Sequence, residues 1–283
     1  MRQMLITLLF LFGSMTAQGN TLTFTAIPDE DETRLEERFS KVAEYLSAEL
    51  DVDVRFVAVK SYAASITAFR NNQVQLAWFG GLSGVRARER VPGSEAIAQG
   101  EEDRGFYNYF IANTDTGIEQ ADELPEAIRG KTFTFGSRGS TSGRLMPEHF
   151  IRQRFNEGPD EVFRRVGYSG NHTRTISLVE SGAYQVGALN FAVWDKMLEE
   201  GGIDTDKVRV IWKSPAFPNY QWTIRGDVDE RFGEGFKDRV QEALLNMDDP
   251  ALLASFPRKR FVPVSNEHYD PIRDVGRAIG ILD

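Results

Sequence analysis

Cysteine is absent from this chain of 283 residues, which excludes a disulfide framework, thiolate metal sites and cysteine nucleophiles. The fold must therefore rest on its core, and no cysteine follows the N-terminal segment to carry a lipid anchor. Histidine is scarce, with three scattered copies, and no metal-ligand spacing appears. Long apolar runs are also missing: Leu5 to Phe12 falls far short of the ~20 residues that a membrane span needs. A basic surplus is missing as well. The 33 Lys and Arg stand against 42 Asp and Glu, giving a net charge of -9 and a pI near 5.1. Such a surface disfavours nucleic acid and anionic membrane, and no basic run or aromatic RNA-binding motif argues otherwise. If an acidic protein binds an anion, it must do so through local dipoles and hydroxyls in a closed pocket.

What remains is ordinary globular composition, 41% hydrophobic and 27% charged, enough for one large or two medium domains. No internal repeat or low-complexity segment is present. Residues 1–19 read as a signal peptide, with Arg2 as the positive start, an apolar Leu5 to Phe12 and small residues from Ser14 to Gly19. Cleavage after Ala17 and after Gly19 both fit. The mature protein is expected to be exported, soluble and unanchored, most simply in a periplasm.

Strand and helix patterns then alternate. LTFTAI (22–27) alternates as a strand, and Leu35, Phe39, Val42, Leu46 and Leu50 make an amphipathic helix. A strand is expected over 52–59, a helix capped by Ser61 with Tyr62 at its first position, and a strand over 75–79 ending at Gly80-Gly81. These predict an α/β layer sandwich with a largely parallel sheet, whose strand-to-helix turns line a ligand edge. Trp78 reads as core. A strand over 105–112 precedes a second unit, with strands at 130–135, 163–168, 184–189 and 208–212 and helices at 173–181 and 191–200. After 213 come a strand at 221–225 and helices near 229–246, 250–256 and 269–281. The late elements are too few for a third domain. Domain one is therefore expected over 20–110 plus 220–283 and domain two over 111–219, with crossings near 108–113 and 214–220 forming a hinge.

The second unit is organised around FTFGSRGSTSGR (133–144): an apolar strand, a glycine-spaced turn and three hydroxyl residues, Ser140, Thr141 and Ser142, opening a helix. A helix N-terminus carries about half a positive charge and four unpaired N–H donors, so it can hold a small oxyanion without lysine or arginine. The glycines fit neither the dinucleotide fingerprint nor the NTPase phosphate loop. A nucleophile elbow would need serine where Thr141 stands. An ordinary serine N-cap is the plain competitor. Pro147 in the second turn should free the carbonyl of Gly143.

These residues give the chain a resemblance to the solute-binding proteins of ABC importers for phosphonate, phosphite and related oxyanions, which have the bilobed type II periplasmic-binding fold. The markers are Ser61-Tyr62-Ala63, LAWFGG (76–81), GSTSG (139–143), SGNH (169–172) and IWKSP (211–215). The resemblance implies that Ser140, Thr141 and Ser142 hold the anion, that His172 reaches it, and that Tyr62 closes from the other lobe. A further pocket aromatic is implied at Phe106 or Tyr107, with Tyr107 taken as the candidate. Relatives that bind aminoalkylphosphonates hold the ammonium with acids near two later positions. Here those neighbourhoods offer Asn190 and Tyr220 with no carboxylate, so a compact tetrahedral oxyanion is expected. NYQWTIRGD (219–227) is similar to a subgroup labelled selenate-binding.

The resemblance thus implies a monomeric periplasmic receptor, without cofactor or metal, that hands a phosphonate, phosphite, phosphate or selenate to an inner-membrane permease by hinge closure. Two alternatives stand beside it. One is a sensor accessory presenting its ligand to a membrane histidine kinase. The other is a hydrolase using a Ser or Thr hydroxyl with His172, for which no orienting acid stands out. His149 and His268 are expected to be surface or packing residues, and a plain reading of His172 is as a cap for the helix from Thr173.

Overall fold

The computed structural model describes residues 20–283, so the expected signal peptide lies outside the described residues. β1 (Leu22–Ala26) leads to α1 (Glu32–Leu50), which buries Leu35, Phe39, Val42, Leu46 and Leu50, the anticipated stripe. β2 (Val54–Phe56) is shorter than the expected 52–59, because it is the edge of its sheet and only one side offers hydrogen-bond partners. α2 (Tyr62–Arg70) starts where expected, with Ser61 Oγ accepting from Ala64 N at 3.1 Å. β3 (Leu76–Phe79) is fully buried.

Two elements then appear that the sequence did not suggest, α3 (Gly81–Arg90) and β4 (Glu95–Gly100). Glycine is a poor helix former, and the α3 sequence GLSGVRARER carries two. Tertiary packing overrides propensity here: Gly84 lies against Gln221, where a Cβ would collide with the side-chain amide.

The second lobe contains β5 (Asn108–Asn113), β6 (Thr132–Phe135), α4 (Met146–Phe155), α5 (Pro159–Val162), β7 (Arg165–Tyr168), α6 (His172–Glu180), β8 (Val186–Asn190), α7 (Phe191–Glu199) and β9 (Val208–Lys213). The chain then returns as β10 (Gln221–Ile224), α8 (Val228–Phe232), α9 (Phe236–Leu245), α10 (Pro250–Ser255), β11 (Phe261–Pro263) and α11 (Asp270–Ala278). The single helix expected over 229–246 is split by Gly233 and Gly235, both at positive φ (100° and 74°).

The strands form two sheets, in the orders β11-β4-β10-β3-β1-β2 and β7-β6-β8-β5-β9. The sheets are mixed, which corrects the expectation of a largely parallel one. β1 pairs parallel with β2 and β3, and β6 with β7 and β8. β10 runs antiparallel to β3 and β4, and β5 antiparallel to β8 and β9. These reversed strands are the two by which the chain enters each lobe after a crossing.

The first crossing is also earlier than expected. β5 belongs to the second sheet from Asn108 onward, so the 110/111 boundary falls inside a strand. The two crossing segments are bonded to each other: Phe217 N donates to Phe106 O (2.8 Å), Asn219 N to Asp103 O (3.1 Å) and Ser214 N to Asn108 O (3.0 Å). Asp103 is held from the first lobe by a fully buried ion pair with Arg258 at 2.7 Å.

Candidate functional site

Five strand ends face one another between the two sheets: β1, β3, β6, β7 and β8 deliver Asp29, Gly81, Ser140, His172 and Asn190. This is the edge of an open α/β sheet where ligands bind. The turn after β6 is drawn tight by Gly136, whose N–H donates to Gly143 O at 2.7 Å. That bond satisfies the carbonyl that Pro147 leaves free. A Cβ on Gly136 would lie 3.3 Å from Gly143 Cα, so any larger residue would push the two turns apart by a few tenths of an ångström. The helix opens as a π-turn over Thr141–Leu145, with Leu145 N donating to Ser140 O, before α4 continues from Met146.

The three hydroxyls have three different roles. Ser140 Oγ caps the turn, accepting from Gly143 N at 2.9 Å. Thr141 Oγ1 reaches the other lobe and accepts from Leu82 N at 2.9 Å, at the start of α3. Ser142 Oγ is buried and has no protein partner.

His172 is fully buried as the first residue of α6. The cap of that helix is Asn171, which accepts from Arg174 N at 2.8 Å, so the His172 side chain is left for something else. Its Nδ1 accepts from Asn190 N at 3.3 Å, which leaves the hydrogen on Nε2. Burial pushes the imidazole pKa down to about 4 against a small opposing pull from Glu30, so the ring is neutral at physiological pH. Nε2–H is buried without a partner. Its Cε1 edge lies 3.0 Å from where a Cβ on Gly143 would be, which puts the ring against the hydroxyl turn.

Tyr62 comes from the first lobe and packs on the same turn, with its Cβ 2.9 Å from where a Cβ on Gly139 would sit. Its hydroxyl is buried beside the Ser140 side chain without a fully formed hydrogen bond. Burial first, and then the Asp29 carboxyl, push its pKa well above the ordinary value, so it keeps its proton to donate. Asn190 accepts from Ala192 N (2.8 Å) as the cap of α7 and donates Nδ2–H to Tyr220 Oη at 3.1 Å. Tyr220 Oη donates in turn to Asp29 Oδ2 at 2.6 Å, and its ring stacks on buried Trp78 at 5.4 Å.

Of the two aromatic candidates at the crossing, Phe106 is fully buried and lies 5.5 Å from the Tyr220 ring. Tyr107 is not brought into this cluster. It is half-buried, stacked on Phe191 at 3.9 Å with Lys213 Nζ over its other face. Alternating side-chain direction along an extended segment separates the two neighbours. His149 and His268 lie elsewhere, edge-on to Phe150 and Tyr269.

Three further residues join the site without having been singled out. Asp29, an acid shortly ahead of α1, is buried, with Oδ1 unpartnered and its pKa raised to about 6, chiefly by burial and then by Glu30. Asn108, in register with Asn190 across β5 and β8, is fully buried with neither side-chain polar atom bonded. Asn219 accepts from Gly81 N at 3.1 Å and leaves Nδ2 free. Asparagine at a strand start or near a proline reads as turn chemistry, so their sequence signal was bland. No cluster of metal-ligating side chains occurs among the described residues, and no helix there is long and apolar enough to cross a membrane.

Residues 24–269 match the family model of the ABC transporter phosphonate periplasmic substrate-binding protein. The chain belongs to this family. It is 38% identical over 261 residues to the probable ABC transporter phosphite binding protein PhnD1 of Prochlorococcus marinus (strain MIT 9301), covering 90% of this chain and 88% of that protein. It is 26% identical to the phosphonates-binding periplasmic protein of Escherichia coli (strain K12), over 91% of this chain and 76% of that one. The crystal structure of the Prochlorococcus PhnD1 in complex with methylphosphonate superposes with a TM-score of 0.88 at 37% identity, covering 92% of this chain and 98% of that one. The chain therefore has the bilobed periplasmic-binding fold. As a member of the phosphonate substrate-binding family it is the binding component of a transporter and not an enzyme, and the hydrolase alternative falls away.

Proposed function

We propose that the protein is the periplasmic receptor of an ABC importer for a small tetrahedral phosphorus oxyanion, of the phosphite or methylphosphonate kind. One observation carries this reading: Ser142 Oγ, Tyr62 Oη and His172 Nε2, donors from both lobes, are buried without protein partners around one helix N-terminus. A buried polar group without a partner costs roughly 1–3 kcal/mol, and an anion that accepts from all three removes that cost. The site carries no cation among these donors. Its attraction for an anion comes from neutral N–H and O–H groups and from the amides of the first helical turn.

Tyr62 comes from one lobe and Ser142 and His172 from the other, so the ligand stabilises the closed arrangement of the lobes, with the paired segments around Phe106 and Phe217 as the hinge. The receptor works as a freely diffusing monomer that docks on an inner-membrane permease. The names and ligands of the relatives support phosphite and alkylphosphonates over selenate. Isothermal titration against phosphite, methylphosphonate, phosphate, sulfate and selenate tests the reading. Phosphite or methylphosphonate should bind most tightly; a protein that binds none of them, or binds sulfate best, sinks it.

A further inference from the structure

Asp29 is a carboxyl inside a site built to hold an anion. Its Oδ2 is fixed by the Tyr220 hydroxyl at 2.6 Å, while Oδ1 is buried with no partner. Its backbone carbonyl accepts from His172 N at 2.9 Å, which ties the residue to the helix that presents the imidazole. The charged and titratable groups around it are Glu30, Arg38, Lys196, Tyr220, Tyr62, Arg258 and the neutral His172. Arg38 is spent on Glu30 at 2.6 Å, Lys196 bears on Glu30, and Arg258 is paired with Asp103 at 2.7 Å, so none of these three cations pairs with Asp29 directly. Two negative charges enclosed together would repel strongly in such a dry place. One hydrogen shared between Asp29 and a ligand oxygen removes the clash and gives Oδ1 its partner.

We propose that Asp29 shares a single proton with the bound oxyanion, so that the site selects tetrahedral anions that bring their own hydrogen, such as the monoanions of phosphite and alkylphosphonates, over selenate and sulfate. This rests on the oxyanion reading above and adds the protonation state to it. Phosphite and methylphosphonate give up their second proton near neutrality, whereas selenate and sulfate have lost theirs far into acid. For a proton-free ligand the carboxyl must fetch the hydrogen from solvent. Burial already favours the neutral carboxyl, raising its pKa to about 6. Selenate binding should therefore weaken by about tenfold per pH unit above that value. A competing role for Asp29 is as counter-charge to an ammonium group. Trp78 and Phe106 pack on Tyr220, the residue that holds Asp29 Oδ2, and 2-aminoethylphosphonate in the same assay tests that role.

The experiment is calorimetry on the wild-type protein and on Asp29→Asn with phosphite, methylphosphonate, selenate, sulfate and 2-aminoethylphosphonate, in buffers of different ionisation enthalpy. In the wild type at about pH 7, selenate binding should take up close to one proton, and methylphosphonate clearly less. Asparagine offers an N–H to a bare oxygen, so the variant should lower the phosphite-to-selenate affinity ratio by at least about tenfold and abolish the proton uptake. The wild-type proton count needs no variant and stands even if Asp29→Asn fails to fold. Selenate binding without proton uptake, a ratio that moves by less than about twofold, or a preference for 2-aminoethylphosphonate overturns the proton-sharing role alone. Failure of both proteins to bind any of these anions overturns the oxyanion reading, and this inference with it.

Discussion

The two lobes bring unlike chemistry to the same cleft. The second lobe presents donors: the Ser142 hydroxyl, the neutral His172 N–H, and a helix start whose carbonyl loss at Pro147 is repaired by Gly136. The first lobe presents one donor, Tyr62, and beside it a carboxyl, Asp29, that would repel the anion unless a hydrogen stands between them. The difference suggests a division of labour in which the second lobe captures the charge and the first lobe examines the ligand as the lobes close. On the proposed reading a protein of net charge -9 can bind an anion because donors within a few ångströms outweigh a screened long-range field.

The sharpest way to break the comparison is to strip the capturing lobe. Ser142→Ala combined with His172→Ala removes two hydrogen bonds to a charged group, each worth roughly 1.5–3 kcal/mol, so methylphosphonate affinity should fall by about 3–6 kcal/mol. Calorimetry measures it. A loss under about 1 kcal/mol would show that capture resides elsewhere, with Asn108 and Asn219 the next donors to remove.

The examining lobe can be probed without ligand, through pH. The folded pKa of Asp29, about 6, lies above its unfolded value, so ionising it costs stability once pH rises through that range. Asp29→Asn should therefore be more stable than wild type near pH 8, by about 1–3 kcal/mol, with the gain fading as pH falls toward 4. His172 acts in the opposite sense. Its folded pKa of about 4 lies below the unfolded value, so its contribution is complete above about pH 6.5 and is lost as pH falls toward 4. The two opposing slopes overlap, and wild-type stability should be flatter between pH 4 and 6 than that of either single variant, Asp29→Asn or His172→Gln. Urea midpoints across that range measure all three curves.

The same contrast explains what could be read in the sequence. The hydroxyl turn, the Ser61 cap and the apolar stripe of α1 are local signals, carried by residues within a few positions of one another, and the corresponding elements fall close to where the pattern puts them. Asp29 was illegible because its burial depends on Tyr220, 191 positions away, while locally it looks like one more acid ahead of a helix. α3 was hidden because its glycines answer to distant neighbours, Gly84 to Gln221 and Gly81 to Ile272 and Pro218, and not to helix propensity. The crossing was misplaced because β5 continues an aromatic run that begins in the linker, so composition does not change where the lobe does. Phe106 and Tyr107 differ only in which way an extended chain turns each side chain, and register is settled by pairing with Phe217.

The finest test concerns Thr141, the one hydroxyl of the triplet that is already bonded across the cleft. Its Oγ1 accepts from Leu82 N, an otherwise open amide at the start of α3, so it joins the lobes. Thr141→Val keeps the shape and removes that single neutral hydrogen bond, worth about 0.5–1.5 kcal/mol. Because the bond spans the two lobes, the loss should fall on the closed state, weakening methylphosphonate by about three- to tenfold while leaving thermal stability of the ligand-free protein nearly unchanged. Small-angle scattering with and without ligand should show a smaller closed fraction at equal saturation. If Thr141→Val instead costs as much as Ser142→Ala, the threonine hydroxyl turns to the anion when ligand is bound, and the boundary between capture and closure runs one residue earlier in the triplet.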